Sequence, residues 1–159
     1  VSQVIWDVPS RRSTRLILGS LGNTCATISS DGAFVAFGRD RRVQIHDGHT
    51  GGRLAEFRPH ESEIAALEFS PDSQMLIAAT TMGHVFVYRL NIGREPQVDD
   101  VEHIISIGAA QEIEFANSNN VWWLGSETGS VSVFQSNEDS TSQLETIRFG
   151  MSPSFRGIM

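Results

Sequence analysis

The sequence predicts an all-β fold built by repeating a four-stranded antiparallel sheet, and three observations carry that prediction. The first is internal recurrence. A pattern of strand, tight turn, strand, second turn and strand occurs in CATISSDGAFVAFGRDRRVQIHD (residues 25–47), EIAALEFSPDSQMLIAATTMGHVFVYR (63–89) and IEFANSNNVWWLGSETGSVSVF (113–134). Asp40, Met82 and Thr128 fall in the same turn slot, 42 and 46 positions apart, a period that marks a repeat architecture. The second observation is the middle copy's near-continuous apolar runs, around Ile64, Leu67 and Phe69, then 75–79, then 85–88. Runs without alternation belong to strands buried on both faces, as in a sheet packed between two others. The third is turn chemistry. Pro71 presets φ, Asp72 can bond its own backbone, and Gly83 supplies a positive φ.

In chain order, Val4, Ile5, Trp6 and Asp7 end a strand that matches the closing strand of each copy, with Trp6 in the place of His46 and Tyr88. After an arginine-rich loop, Leu16, Ile17 and Leu18 are expected as a further strand, stopped by Gly19 and Gly22. The loop GHTGG (48–52) leads into Leu54, Ala55, Glu56 and Phe57, an outer strand with the alternation of partial exposure. In the second copy a long polar loop (91–102) precedes an outer strand expected at Ile104, Ile105, Ser106 and Ile107. In the third, the acidic, serine-rich loop QSNEDSTSQ (135–143) precedes a last strand over 144–149. The chain then divides into a half unit over 1–20, three units over about 21–58, 59–108 and 109–150, and a tail over 151–159. That makes about fourteen strands, or three and a half units.

Composition narrows the function. The hydrophobic share of 40% is ordinary for a globular protein, and no apolar run is long enough to span a bilayer. A single Cys25 has no partner within the chain, which favours a reduced, cytoplasmic or nuclear setting. Lysine is absent, so all twelve basic residues are arginine. The net charge of −7 argues against nucleic acid as the main partner. The five histidines lie on different expected strands and loops without zinc-site spacing, and no nucleophile stands beside a base. No catalytic residue, metal site or cofactor is expected. His46 and His49 read as a strand end and a turn, Cys25 as a core residue, and GHTGG lacks the following helix that a phosphate cradle uses. Trp122 and Trp123 are expected on opposite faces of one strand, one toward each neighbouring sheet.

The repeat resembles the WD-repeat family of β-propellers over nearly the whole chain. The turns SPDS (70–73) and SDG (30–32), the closing pair Trp6-Asp7, and Asp47 carry the resemblance. His60 and Asp40 stand where that family places its histidine and turn aspartate. No unit carries histidine, aspartate and tryptophan together, so the family's buried hydrogen-bond network is expected to be incomplete. The resemblance implies four-stranded blades, about three and a half of them, as a segment of a seven-bladed propeller completed by a longer parent chain. It also implies a non-catalytic interaction scaffold like those of large multidomain eukaryotic proteins. The alternatives are the sensor propeller of a signalling nucleotide-binding ATPase, or part of a propeller enzyme whose site lies outside these residues.

Within that geometry the loops sort by charge. One face of the disc carries Arg39, Arg41, Arg42, Arg58, His60 and His84, and the opposite face carries Glu95, Asp99, Asp100, Glu102, Glu138 and Asp139. The first set is the expected partner-binding face, with arginine forks suited to an acidic or phosphorylated protein segment.

Overall fold

The computed structural model describes residues 2–7, 12–17, 25–57, 60–91, 97–105, 109–116, 121–126, 128–136 and 140–148. Strands β1 (Ser2–Asp7) and β2 (Arg12–Ile17) form an antiparallel hairpin. The first full sheet holds β3 (Cys25–Ile28), β4 (Phe34–Arg39), β5 (Arg42–Asp47) and β6 (Arg53–Phe57). The second holds β7 (Ile64–Phe69), β8 (Met75–Thr80), β9 (His84–Asn91) and β10 (Gln97–Ile105). The third holds β11 (Ala110–Phe115), β12 (Val121–Ser126), β13 (Ser130–Ser136) and β14 (Thr141–Arg148). Every sheet runs in chain order with antiparallel neighbours.

Three outer strands differ from expectation. β2 begins at Arg12 rather than Leu16, so part of the expected arginine-rich loop is strand. β10 begins at Gln97, and Asp99, Asp100 and Glu102 therefore lie in a strand rather than in a polar loop. A register shift between Val98 and Asp100 absorbs an extra residue. β14 begins at Thr141 rather than Leu144, and β13 continues to Ser136. The physical reason is common to all three. An outermost strand pairs on one side only and needs no apolar run, so the polarity that reads as loop is edge-strand chemistry. The tail 151–159 and Phe149 lie outside the described residues.

The first turn of the first and second units follows from its side chains, while the corresponding turn of the third, 117–120, lies outside the described residues. Ser70 Oγ accepts the amide of Met75 at 2.8 Å, while Asp72 Oδ1 accepts from Ser70 Oγ and from the amide of Gln74 at 2.5 and 3.0 Å. Ser29, Asp31, Ala33 and Phe34 repeat these bonds 41 residues earlier. Gly32 (φ 73°) and Ser73 (φ 62°) hold the same left-handed position, which glycine takes without strain and serine does not. The two turns touch through Ser30 Oγ, which donates to the Pro71 carbonyl at 2.5 Å.

Each sheet has a leading face, toward lower residue numbers, and a trailing face. Phe34, Ala36, Val43 and Ile45 on the first trailing face pack on Leu67, Phe69, Leu76, Ala78 and Tyr88 of the second leading face. Met75, Ile77, Ala79, Val85 and Val87 on the second trailing face pack on Ile113, Trp122, Leu124 and Phe134 of the third leading face. All six residues of β8 are buried, as expected for a strand covered on both sides. Ile28 matches Phe69 in register yet is 50% exposed where Phe69 is 4% exposed, although Val35 and Phe37 on the same leading face of the first full sheet are buried. The innermost strands β3, β7 and β11 lie side by side, so the sheets stack face to face around their inner edges.

Candidate partner-binding face

Three segments knit the face together through backbone bonds. The β4–β5 turn meets the segment leading into β7, since the His60 amide donates to the Arg41 carbonyl (3.1 Å) and the Ile64 amide to the Asp40 carbonyl (2.9 Å). That segment meets the β8–β9 turn through Thr81 N–H to the Glu63 carbonyl (2.9 Å) and Met82 N–H to Ser62 Oγ (3.3 Å). The β4–β5 turn is a two-residue connection between paired Arg39 and Arg42, with Asp40 at φ 52°, whereas Gly83 supplies the left-handed residue in the β8–β9 turn. Arg39, Arg41, Arg42, His60 and His84 are thus neighbours in space although up to 45 positions apart. Arg58 lies outside the described residues.

Their availability differs sharply. His60 is 4% exposed, and its Nε2 lies 2.5 Å from the hydroxyl of buried Tyr88. Its ring meets Phe86 edge-on at 4.4 Å, and Phe57 of the preceding sheet stacks on Tyr88 at 4.8 Å. His60 is therefore an inter-sheet core residue and leaves the set of face residues. Burial also pushes the Tyr88 hydroxyl well above its usual ionisation range, so it keeps its proton. The incomplete family network is replaced here by one direct tyrosine–histidine bond.

His84 Nε2 sits 3.6 Å from Glu61 Oε2, and Arg39 Nε 3.9 Å from Asp40 Oδ2. Arg42 reaches outward to Glu56 Oε1 at 3.7 Å. Glu56 also accepts from Arg53 (2.9 Å) and Gln44 (2.8 Å), and its side chain is only 14% exposed, so it holds a three-donor cluster. Arg41 is exposed and has no ion-pair partner among the described residues. Asp40, Glu61 and Glu63 are exposed around it, so the face is mixed in charge rather than basic. Of the opposite, acidic set, Glu95, Glu138 and Asp139 lie outside the described residues, and Asp99, Asp100 and Glu102 belong to β10. The expected contrast of two oppositely charged loop faces does not stand on those three strand residues.

The structure adds a feature that the sequence reading passed over. Thr27, Glu68 and Glu114 occupy one register position on the three innermost strands, opposite Ala36, Ile77 and Trp123. Thr27 Oγ1 donates to Glu68 Oε2 at 3.2 Å across the first interface. Burial pushes the Glu68 carboxyl up, the Thr27 bond opposes this, and nearby Glu114 adds to the rise. The repeat spacing alone aligns these residues, so the column could have been found by reading the copies against one another.

The remaining candidates are structural. Trp122 is fully buried on the third leading face, stacked on Phe134 at 4.3 Å, with its indole N–H donating to Ser136 Oγ at 2.8 Å. Trp123 points the other way and is half-buried. His46 is buried with Nδ1 3.1 Å from the Gly51 carbonyl, while His49 is exposed. Asp47 Oδ1 accepts the amides of His49 and Thr50, and the Thr50 bond chiefly holds its carboxyl below the usual range. Cys25 Sγ lies 3.8 Å from the Ile64 carbonyl. Among the described residues no group of three His, Cys, Asp or Glu side chains is placed to hold a metal ion.

Four-stranded antiparallel sheets stacked through their inner strands define a propeller-type repeat protein. No protein-family model matches the chain. The chain is 26% identical over 102 residues to autophagy-related protein 18 of Vanderwaltozyma polyspora, covering 61% of this chain and 18% of that protein. It is 27% identical over 106 residues to meiotic fizzy-related protein 1 of Schizosaccharomyces pombe, covering 66% and 25%. The crystal structure of the RRP9 WD40 repeats matches 93% of this chain with 42% of its own, at TM-score 0.71 and 15% identity. The structure of U3-55K matches 94% with 43% of its own, at TM-score 0.73 and 15% identity. The fold is that of WD40-repeat propeller blades. The chain spans a quarter or less of those curated relatives and less than half of those solved chains.

Proposed function

We propose that this chain is part of a non-catalytic protein-interaction scaffold, and that it engages a protein segment through the surface centred on Arg41. One observation carries the reading: the β4–β5 turn, the segment leading into β7 and the β8–β9 turn are hydrogen-bonded into one surface that presents an exposed arginine. Loops fixed on a packed sheet are suited to recognition because their geometry is set before the partner arrives. Arg41 offers a planar fork to a carboxylate or phosphate group. Arg39 and Arg42, already paired with Asp40 and Glu56, position the site more than they charge it. The partner is an acidic or phosphorylated segment met in the cytoplasm or nucleus, a setting that suits a chain with a single cysteine.

The test is binding to an array of acidic and phosphoserine peptides at several salt concentrations, with Arg41→Glu as the variant. The expected result is a loss of binding, with a shallower salt dependence for what remains. An exposed pair contributes only up to about 1 kcal/mol, so the loss is about fivefold for one contact. Equal binding by Arg41→Glu at every salt concentration would overturn the reading.

A further inference from the structure

We propose that Met82 is an apolar subsite beside Arg41, and that the pair selects a polyproline-type segment with a single anionic residue and an apolar residue one helical turn away. The inference deepens the arginine-surface reading and rests on it.

Met82 is 66% exposed, the most exposed large apolar side chain among the described residues. The others, Ile28, Leu54 and Leu144, lie on strands, whereas Met82 stands in the β8–β9 turn, in a slot where the other two units carry the polar Asp40 and Thr128. Its backbone is pinned on both sides. Thr81 N–H donates to the Glu63 carbonyl, Met82 N–H to Ser62 Oγ, and Gly83 N–H to the Thr80 carbonyl at 3.0 Å. The turn is therefore set while the thioether stays free to adapt, a combination suited to gripping an apolar side chain of a partner.

The layout of the surface specifies that partner. Residues 60–62 bridge the two turns, since the His60 amide bonds the Arg41 carbonyl and Ser62 Oγ accepts from Met82. Arg41 and Met82 thus belong to adjacent stacked sheets, whose spacing is about 10 Å. A β-strand presents same-side residues about 7 or 13 Å apart, so neither choice spans the pair. A polyproline helix returns to the same side every turn, after about 9 Å, which does. Charge sets the second requirement. Asp40, Glu61 and Glu63 are exposed around Arg41, so one carboxylate or phosphate finds the guanidinium while a run of acids meets repulsion.

The probes are short proline- and alanine-based peptides with one anionic residue and one leucine a polyproline turn apart, in both orders. Glutamate and phosphoserine versions separate the two anions. Titration is read from the Met82 methyl resonance and the backbone amide shifts of the chain. For the tighter order, Met82→Ser should weaken binding about fivefold to tenfold. Replacing the peptide leucine by alanine should cost the same on the unaltered chain, and the two changes together should cost no more than one. A leucine moved one residue closer, or a run of glutamates, should bind more weakly. Arg41→Glu should weaken every peptide, with or without leucine. Loss with Arg41→Glu but none with Met82→Ser or with the leucine exchange would overturn the apolar subsite and leave the arginine surface standing. No loss with Arg41→Glu would overturn the arginine surface, and this inference with it. Equal affinity for the closer spacing would overturn the polyproline geometry.

Discussion

His60 and Tyr88 show how one substitution re-plumbs a core. Tyrosine has a polar end that reaches the imidazole directly, and burial keeps its hydroxyl protonated. The two rings sit between Phe57 of the first sheet and Phe86 of the second, so the bond lies inside an inter-sheet contact. Tyr88→Phe keeps the ring and removes the partner of a buried imidazole nitrogen. The expected cost is about 1–3 kcal/mol in urea unfolding, the usual penalty for leaving a buried polar atom unmatched. No cost would mean that His60 is held by other contacts and the hydroxyl is incidental. The sequence reads His60 as a surface group, whereas its side chain is buried. Position along the chain was legible; the depth of the side chain depended on Tyr88, 28 residues later.

Strands were most legible where both faces are covered. The apolar runs of β8 and β9, the Ser-Asp turn before β8 and the glycine turn before β9 leave few alternatives, because continuous burial and turn chemistry each constrain the residue type. Outer strands were least legible. In β10 the sequence interrupts Val98 and Val101 with Asp99 and Asp100, a polarity that reads as loop but that a strand paired on one side only tolerates. The innermost strands carry a prediction of their own, because Glu68 lies between Thr27 and Glu114 at one level. Its folded carboxyl binds a proton more readily than the unfolded one, whose ordinary value is 4.5. That contribution is fully favourable below 4.5 and is lost as pH rises through the folded value. Glu68→Gln should therefore stabilise the chain at neutral pH by less than about 1 kcal/mol after solvent screening, and flatten the stability profile above that value. Urea midpoints between acid and neutral pH measure this. A variant that is less stable at neutral pH would show that the carboxylate's bond to Thr27 outweighs its burial.

At the scale of the whole molecule, stability is built interface by interface, each sheet covering the trailing face of the one before it. Repetition was legible in the sequence because turn residues recur at fixed offsets, and it fixes which residues share a face without any knowledge of side-chain contacts. The charge of the proposed binding face was not legible, because Glu56 and Glu61 reach the arginines and histidine from other elements. The account's central claim is that identical register positions are covered in the second sheet, at Val85 and Val87, and only half-buried in the third, at Val131 and Val133. Urea unfolding of two double variants tests it most directly: Val85→Thr with Val87→Thr, and Val131→Thr with Val133→Thr. Burying two unmatched hydroxyls should cost the first about 2 kcal/mol or more, while the second should lose less than about 1 kcal/mol because water reaches its face. Equal losses would contradict the account, since the third trailing face would then be as deeply buried as the second.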